Sequence, residues 1–222
     1  MKYLKKFANH SAYNSAKDGL ALPNVSHCVQ ENDVHYNPAP DPCQQHDWVY
    51  IGGKRWATKN IGACTESDFG NYYQYGKGAR QYTATSGDSV YDGAENPLAA
   101  SADTATQVWG DDWRMPTKDE FLTLIENTDY EWTSINGVYG GKFKAKRGSN
   151  YVFFPAAGQY INGALKGVGN FGMFYNSTPH NNNGAYYFNF SDGYKSAQNY
   201  DSRTYGNTVR AIFVGDIDDD DD

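Results

Sequence analysis

Tyr175, Asn176, Asn181, Asn182, Asn183, Tyr187, Asn189, Ser191, Asp192, Tyr194, Ser196, Asn199, Tyr200, Asp201, Ser202, Thr204 and Tyr205 crowd into one stretch near the end of the chain. Together they offer phenols, amides, hydroxyls and carboxylates. That chemistry makes contacts and does not turn over a substrate. Tyrosine supplies a large contact area at low entropic cost, and Ser and Asn supply adaptable hydrogen bonds. In "AYYFNF" the period of two places Tyr186, Phe188 and Phe190 on one strand face and Ala185, Tyr187 and Asn189 on the other. The first face reads as core and the second as a ligand surface. "PHNNNGA" reads equally well as a further contact loop or as a plain turn.

Catalytic and metal-binding arrangements are not written here. His180 has no second His or carboxylate at ligand spacing and reads as a surface histidine. There is no G-x-S-x-G, no Cys/His pair and no paired-carboxylate signature. Cys28, Cys43 and Cys64 include no C-x-x-C, so neither a zinc site nor a disulfide framework is supported. Free thiols are expected, with a Cys28–Cys43 bridge left open. The reading is a protein that is not an enzyme, with no cofactor and no metal.

The formal charge of −7 misleads, because six of the 26 acidic residues lie in the terminal run from Asp216 to Asp222. Without them the chain carries 20 acids against 19 bases, too even a balance for a nucleic-acid footprint. No continuous apolar stretch follows the basic start "MKYLKK". Cytoplasmic synthesis without a signal peptide is therefore expected, and no segment is long enough for membrane insertion.

These residues need a scaffold, and its elements are partly legible. "NHSAYNSAKDG" reads as a short helix and "NVSHCVQENDVHYNP" as a strand or two, before a Pro-punctuated linker. Residues 1–44 are taken as an attachment or packing segment, 45–214 as the main domain, and 215–222 as an acidic tail. "WVYIGGKRWA" is a hairpin signal around Gly52-Gly53. "NPLAASADTATQVWG" reads as a short helix ending at Gly110. "PTKDEFLTLIEN" reads as a second, with a Thr117/Glu120 capping box and a stripe of Phe121, Leu124 and Ile125. Strands follow in "GGKFKAK", "NYVFFPAAG", "GMFYNST", "AYYFNF", "YKSAQNY" and "TVRAIF". Helices followed by short antiparallel strands predict an α+β domain. Trp56, Trp109, Trp113 and Phe154 are expected in the core, with Arg114 and Arg210 as internal braces.

The ordered segments "WATKNIGA", "DFGNYYQYG", "WGDDWRMPTKDEF", "FFPAAG", "FYNST" and "YGNTVRAI" resemble the C-type-lectin-like domains of Bacteroidetes and Fibrobacter, which are distantly akin to formylglycine-generating enzymes. The resemblance covers roughly residues 45–214. It implies a C-type lectin fold of two helices, small antiparallel sheets and long loops. Many such domains resemble variable proteins of diversity-generating retroelements, in which adenines of a template are randomised. A-A-pyrimidine codons then yield Asn, Ser, Asp, Tyr, Thr, His or Phe but never Lys, Gln, Glu, Met or Trp. From Phe174 to Thr208, 22 of 35 residues are Asn, Tyr, Ser, Thr or Asp, so a variable region of about 170–210 is implied. Lys195 and Gln198 would be fixed positions within it. The family's aromatic-Trp-Ser-Ser-Thr segment has Tyr175 in its Trp slot here.

The formylglycine-generating relatives hold copper with late cysteines, and no cysteine follows Cys64. "WGDDW" is similar to the Trp-Asn-Asp calcium motif of classical lectins, but no Glu-Pro-Asn or Gln-Pro-Asp accompanies it. The resemblance implies a receptor-binding or cell-surface-recognition protein with a protein or glycan ligand, displayed on a phage virion or a Bacteroides-type cell. A fixed carbohydrate-binding or adhesin module is one alternative. A structural virion or pilus-tip component, with a homo-oligomer or virion partner, is another.

Overall fold

Gly52 and Gly53, at φ 61° and 78°, make the two-residue turn joining β1 (Trp48–Ile51) to β2 (Lys54–Ala57). Positive φ at both turn positions matches the strands' own twist. The computed structural model describes residues 43–83 and 91–216. The readings made on residues 1–42, including the first helix, its following strands and Cys28, lie outside the described residues, as does most of the acidic tail.

After β3 (Tyr73–Gln74) comes α1 (Thr104–Trp109), then β4 (Trp113–Arg114) and α2 (Lys118–Asn127). The buried Asp103 carboxylate caps α1, accepting the N–H groups of Ala105 and Thr106, and it also accepts that of Met115 beside β4. Burial pushes this carboxyl up, against the pull of those N–H groups. The Thr117 capping box forms as its spacing predicts. Thr117 Oγ1 accepts the Glu120 N–H at 3.2 Å, and Glu120 Oε2 accepts the Thr117 N–H at 2.8 Å. Phe121 and Leu124 face the interior, with Ile125 partly buried against it.

Ten strands follow α2 and β4: β5 (Thr128–Ile135), β6 (Val138–Ala145), β7 (Tyr151–Pro155), β8 (Gln159–Ile161), β9 (Ala164–Lys166), β10 (Phe171–Pro179), β11 (Gly184–Ser191), β12 (Tyr194–Ser202), β13 (Gly206–Asn207) and β14 (Ile212–Phe213). They build four small sheets, ordered β1-β2-β14-β4, β10-β11-β12, β3-β13-β8-β9 and β5-β6-β7.

This overturns the α+β expectation of a two-helix C-type lectin fold. Strand accounts for 43% of the described residues and helix for 10%. The excess is strand that the sequence reading did not see. Thr128 leaves α2 directly in an extended conformation, and β5 pairs with β6 along its whole length. Conversely, only Ile212 and Phe213 of "TVRAIF" are strand.

Two buried clusters organise the sheets. The first is largely phenylalanine: Phe121, Phe143, Phe154, Phe174, Phe188 and Phe190, with Trp56, Leu124 and Ile212. The second gathers Tyr73, Tyr75, Leu98, Trp113, Met115, Tyr175, Ala185 and Val209. Trp109 stands only half-buried at its edge, stacked on His46. Gly172 is required by the first cluster, since a Cβ there would come within 2.2 Å of the Phe190 ring.

The free-thiol expectation also gives way. Thr58 N–H donates to Asp47 O at 2.9 Å, so the chain leading from Cys43 runs beside the chain leading towards Cys64. The two form a disulfide.

Candidate functional site

The β10-β11-β12 sheet has two faces of different character. Residues directly opposite in paired strands share a face. Phe171, Ser191 and Tyr194 align across the three strands, as do Met173, Asn189 and Ser196, and then Tyr175, Tyr187 and Asn199; Ala185 pairs with Asp201. This is the front face. The reverse face carries Phe174, Phe188 and Phe190 into the phenylalanine cluster.

A β-bulge keeps the front face continuous. The register shifts between Tyr187 and Asn189, where Phe188 alone faces both Ala197 and Gln198 of β12. Ser196 and Asn199 are three residues apart and would fall on opposite faces of a regular strand. The extra residue brings both to the front and sends Ala197 into the core.

Tyr187, Asn189, Ser191, Tyr194, Ser196, Asn199 and Asp201, all singled out from the sequence, thus share one surface. Asn199 is its hub: its Nδ2 donates to Asn189 Oδ1 at 3.1 Å and to Tyr194 Oη at 2.8 Å. Both amide hydrogens are thereby engaged, so what Asn199 has left to offer is its acceptor oxygen. Tyr194 is 45% exposed, whereas Tyr187 is 9% exposed. Burial, then the Asp201 carboxylate and Tyr194, push the Tyr187 phenol up, which keeps it a neutral hydroxyl. The front face is closed at one end, where Tyr175 and Ala185 pack into the second cluster. It is open at the other.

The remaining sequence-predicted residues lie elsewhere. Tyr175 and Asn176 are interior, at 2% and 0% exposure, and cannot meet a ligand. Between Tyr175 and Pro179 β10 takes an irregular register. There the Ser177 N–H donates to Pro116 O, and Ser177 O accepts the Leu98 N–H. The tyrosine hydroxyl donates to Tyr205 O at 3.0 Å. Asn181 braces its hairpin, its Oδ1 accepting the N–H groups of Asn183 and Gly184, while Asn182 and Asn183 are exposed. Asp192 is exposed in the β11–β12 turn. Ser202 ends β12 and Thr204 and Tyr205 lie in the turn after it, with Ser202 Oγ and Thr204 Oγ1 2.8 Å apart.

Tyr200 belongs to the other side of the sheet, where it stacks on His180 with centroids 3.6 Å apart. Tyr186, expected in the core, is instead half-buried, edge-on to His180 and beneath the Lys118 ammonium. The sheet extends past the phenylalanine cluster here, so the alternation continues but the core does not.

One residue that the sequence reading passed over governs this region. Arg203 is 1% exposed. Its Nε donates to Gly184 O, and its Nη1 to Tyr91 O at 2.7 Å and Gly93 O at 3.0 Å. Its guanidinium also lies over the Tyr75 and Tyr91 rings. An arginine amid Ser, Thr and Tyr carries no local signal of burial. Arg210 is an internal brace of the kind expected, donating at 2.8 Å to Asn60 Oδ1, Ala57 O and Phe153 O. Burial pushes it down to about 9.

Among the described residues, no group of three or more His, Cys, Asp or Glu is placed to hold a metal ion, and no helix is long and apolar enough to cross a membrane. In comparisons with known proteins, no family model, curated protein or solved structure matches the chain.

Proposed function

We propose that this chain is a non-enzymatic binding protein whose front β10-β11-β12 face recognises a partner on a cell surface, and that a diversity-generating retroelement varies that face. The supporting observation is the bulge-corrected register. Seven residues of the Asn/Tyr/Ser/Asp type share the front face, while Phe174, Phe188, Phe190 and Ala197 hold the reverse. The partly or fully exposed front positions Asn189, Ser191, Tyr194, Ser196, Asn199 and Asp201 can therefore change without opening a cavity in the phenylalanine cluster, so folding tolerates diversification there. Tyr175 and Asn176 drop out of the contact set, and Arg203 becomes a position that must stay constant.

Sequencing sister copies of the gene tests this. Adenine-directed changes are expected at 187, 189, 191, 194, 196, 199 and 201, and not at 188, 190, 197 or 203. Copies that are invariant here, or that vary equally on both faces, would refute the retroelement reading.

A further inference from the structure

We propose that the front face selects a cationic group: a Lys or Arg side chain of a protein partner, seated on Tyr187 and Tyr194 beside the Asp201 carboxylate. This rests on the front face being the contact surface, and adds to it the chemistry of the ligand.

Charge complementarity carries the inference. Eleven residues on three strands line the face, and Asp201 alone among them has a formal charge. The Lys and Arg residues of the same segment are turned away. Lys195 lies 4.9 Å from the Tyr130 ring centre, and Arg203 is buried against backbone carbonyls. No ammonium or guanidinium on these strands neutralises Asp201.

The neutral groups point the same way. Asn199 has committed its donors to Asn189 and Tyr194 and presents an acceptor. Tyrosine π-faces attract cations, and the Tyr194 ring stands 45% exposed beside the largely buried Tyr187. Asp201 lies two residues beyond Asn199 on the same strand face, and Asn199 pairs with Tyr187. Asp201 and Tyr194 both act on the Tyr187 hydroxyl, and Asn199 holds the Tyr194 hydroxyl, so carboxylate, phenols and amide lie within one side chain's reach. A neutral sugar would use the tyrosines and asparagines but leave the carboxylate without a counterion.

The test exposes the full chain to a random-sequence peptide array and to a glycan array. Bound peptides should be enriched in Lys or Arg, and Asp201→Asn should weaken the best of them at least about tenfold. That variant keeps the Oδ1 that accepts the Ser202 N–H, and its unfolding midpoint serves as the folding control. Binding of neutral glycans alone, of peptides without Lys or Arg, or of nothing on either array overturns the proposal. If Tyr194→Ala weakens binding while Asp201→Asn leaves it within twofold, the cation preference fails and the contact face stands. If neither change matters, both readings fail.

Discussion

The Phe188 ring lies flat on the Phe121 ring, with centroids 4.6 Å apart and planes 12° from parallel, fastening the reverse of the β10-β11-β12 sheet to α2. Both side chains are fully buried. Phe188→Ala should cost about 3–5 kcal/mol, because the emptied volume refills only partly. Asn189 is its neighbour in sequence but faces outward, and Asn189→Ala or Ser196→Ala should cost about 0.5–1 kcal/mol. Urea unfolding at unchanged slope measures the difference. Comparable losses at 188 and 189 would contradict the assignment of faces.

The Cys43–Cys64 bridge closes a loop of sequence separation 21. Loop-closure entropy puts the stabilisation from such a bridge at about 3 kcal/mol. Alkylation of the native protein without reductant should leave both cysteines unmodified, and Cys43→Ser/Cys64→Ser should lower the unfolding midpoint accordingly. Ready alkylation of Cys64 under native conditions would contradict the bridge.

Glu120 sets an acid limit. Burial pushes its carboxyl up, but Arg114, the Thr117 N–H and Lys54 outweigh that and hold it down at about 2. The Arg114 pair is bidentate, at 2.8 and 2.6 Å, and the Glu120 side chain is 12% exposed. A carboxyl depressed on folding stabilises above its unfolded value and loses that contribution as pH falls through the folded one. The loss should run from about pH 4.5 down to about 2 and amount to about 3 kcal/mol. Glu120→Gln should be less stable at pH 7 and should flatten the acid limb of a stability-versus-pH curve. An unchanged limb would show that other groups set it.

Local signals made the first hairpin, the capping box and the core strands legible, because each rests on residues within a few positions of one another. The missed strands had signals too. Asn136-Gly137 and Asn162-Gly163 both take positive φ at the β5–β6 and β8–β9 turns, the pairing that favours two-residue hairpins. Overlooking them hid enough strand to misplace the fold class. The polar front face was legible in composition but not in register. The bulge that carries Asn199 to the front depends on how β11 and β12 pair, and nothing within "YKSAQNY" encodes it. The burial of Tyr175 has the same kind of cause, since its hydroxyl partner Tyr205 is 30 positions away and most of its cluster, Tyr75 and Val209 among them, lies farther off still.

Arg203 joins the β11–β12 sheet to the segment around Tyr91, and its removal should loosen both. Its donors satisfy Gly184 O, Tyr91 O and Gly93 O. Arg203→Met keeps the apolar stem but leaves Tyr91 O and Gly93 O without the arginine donor, while Gly184 O keeps the His180 and Asn181 N–H groups, at a cost of about 2–4 kcal/mol. Arg203→Lys should recover little, because one ammonium cannot span acceptors that a planar fork reaches from two sides. The adjoining connection is the Leu98 N–H, which donates to Ser177 O at 2.8 Å. Hydrogen exchange at Leu98 should therefore accelerate in both variants, while exchange in α2, held by its own capping box, should change little. Uniform acceleration across the chain would mean that Arg203 supports global stability alone. Unchanged exchange at Leu98 would mean that the segment is held without it.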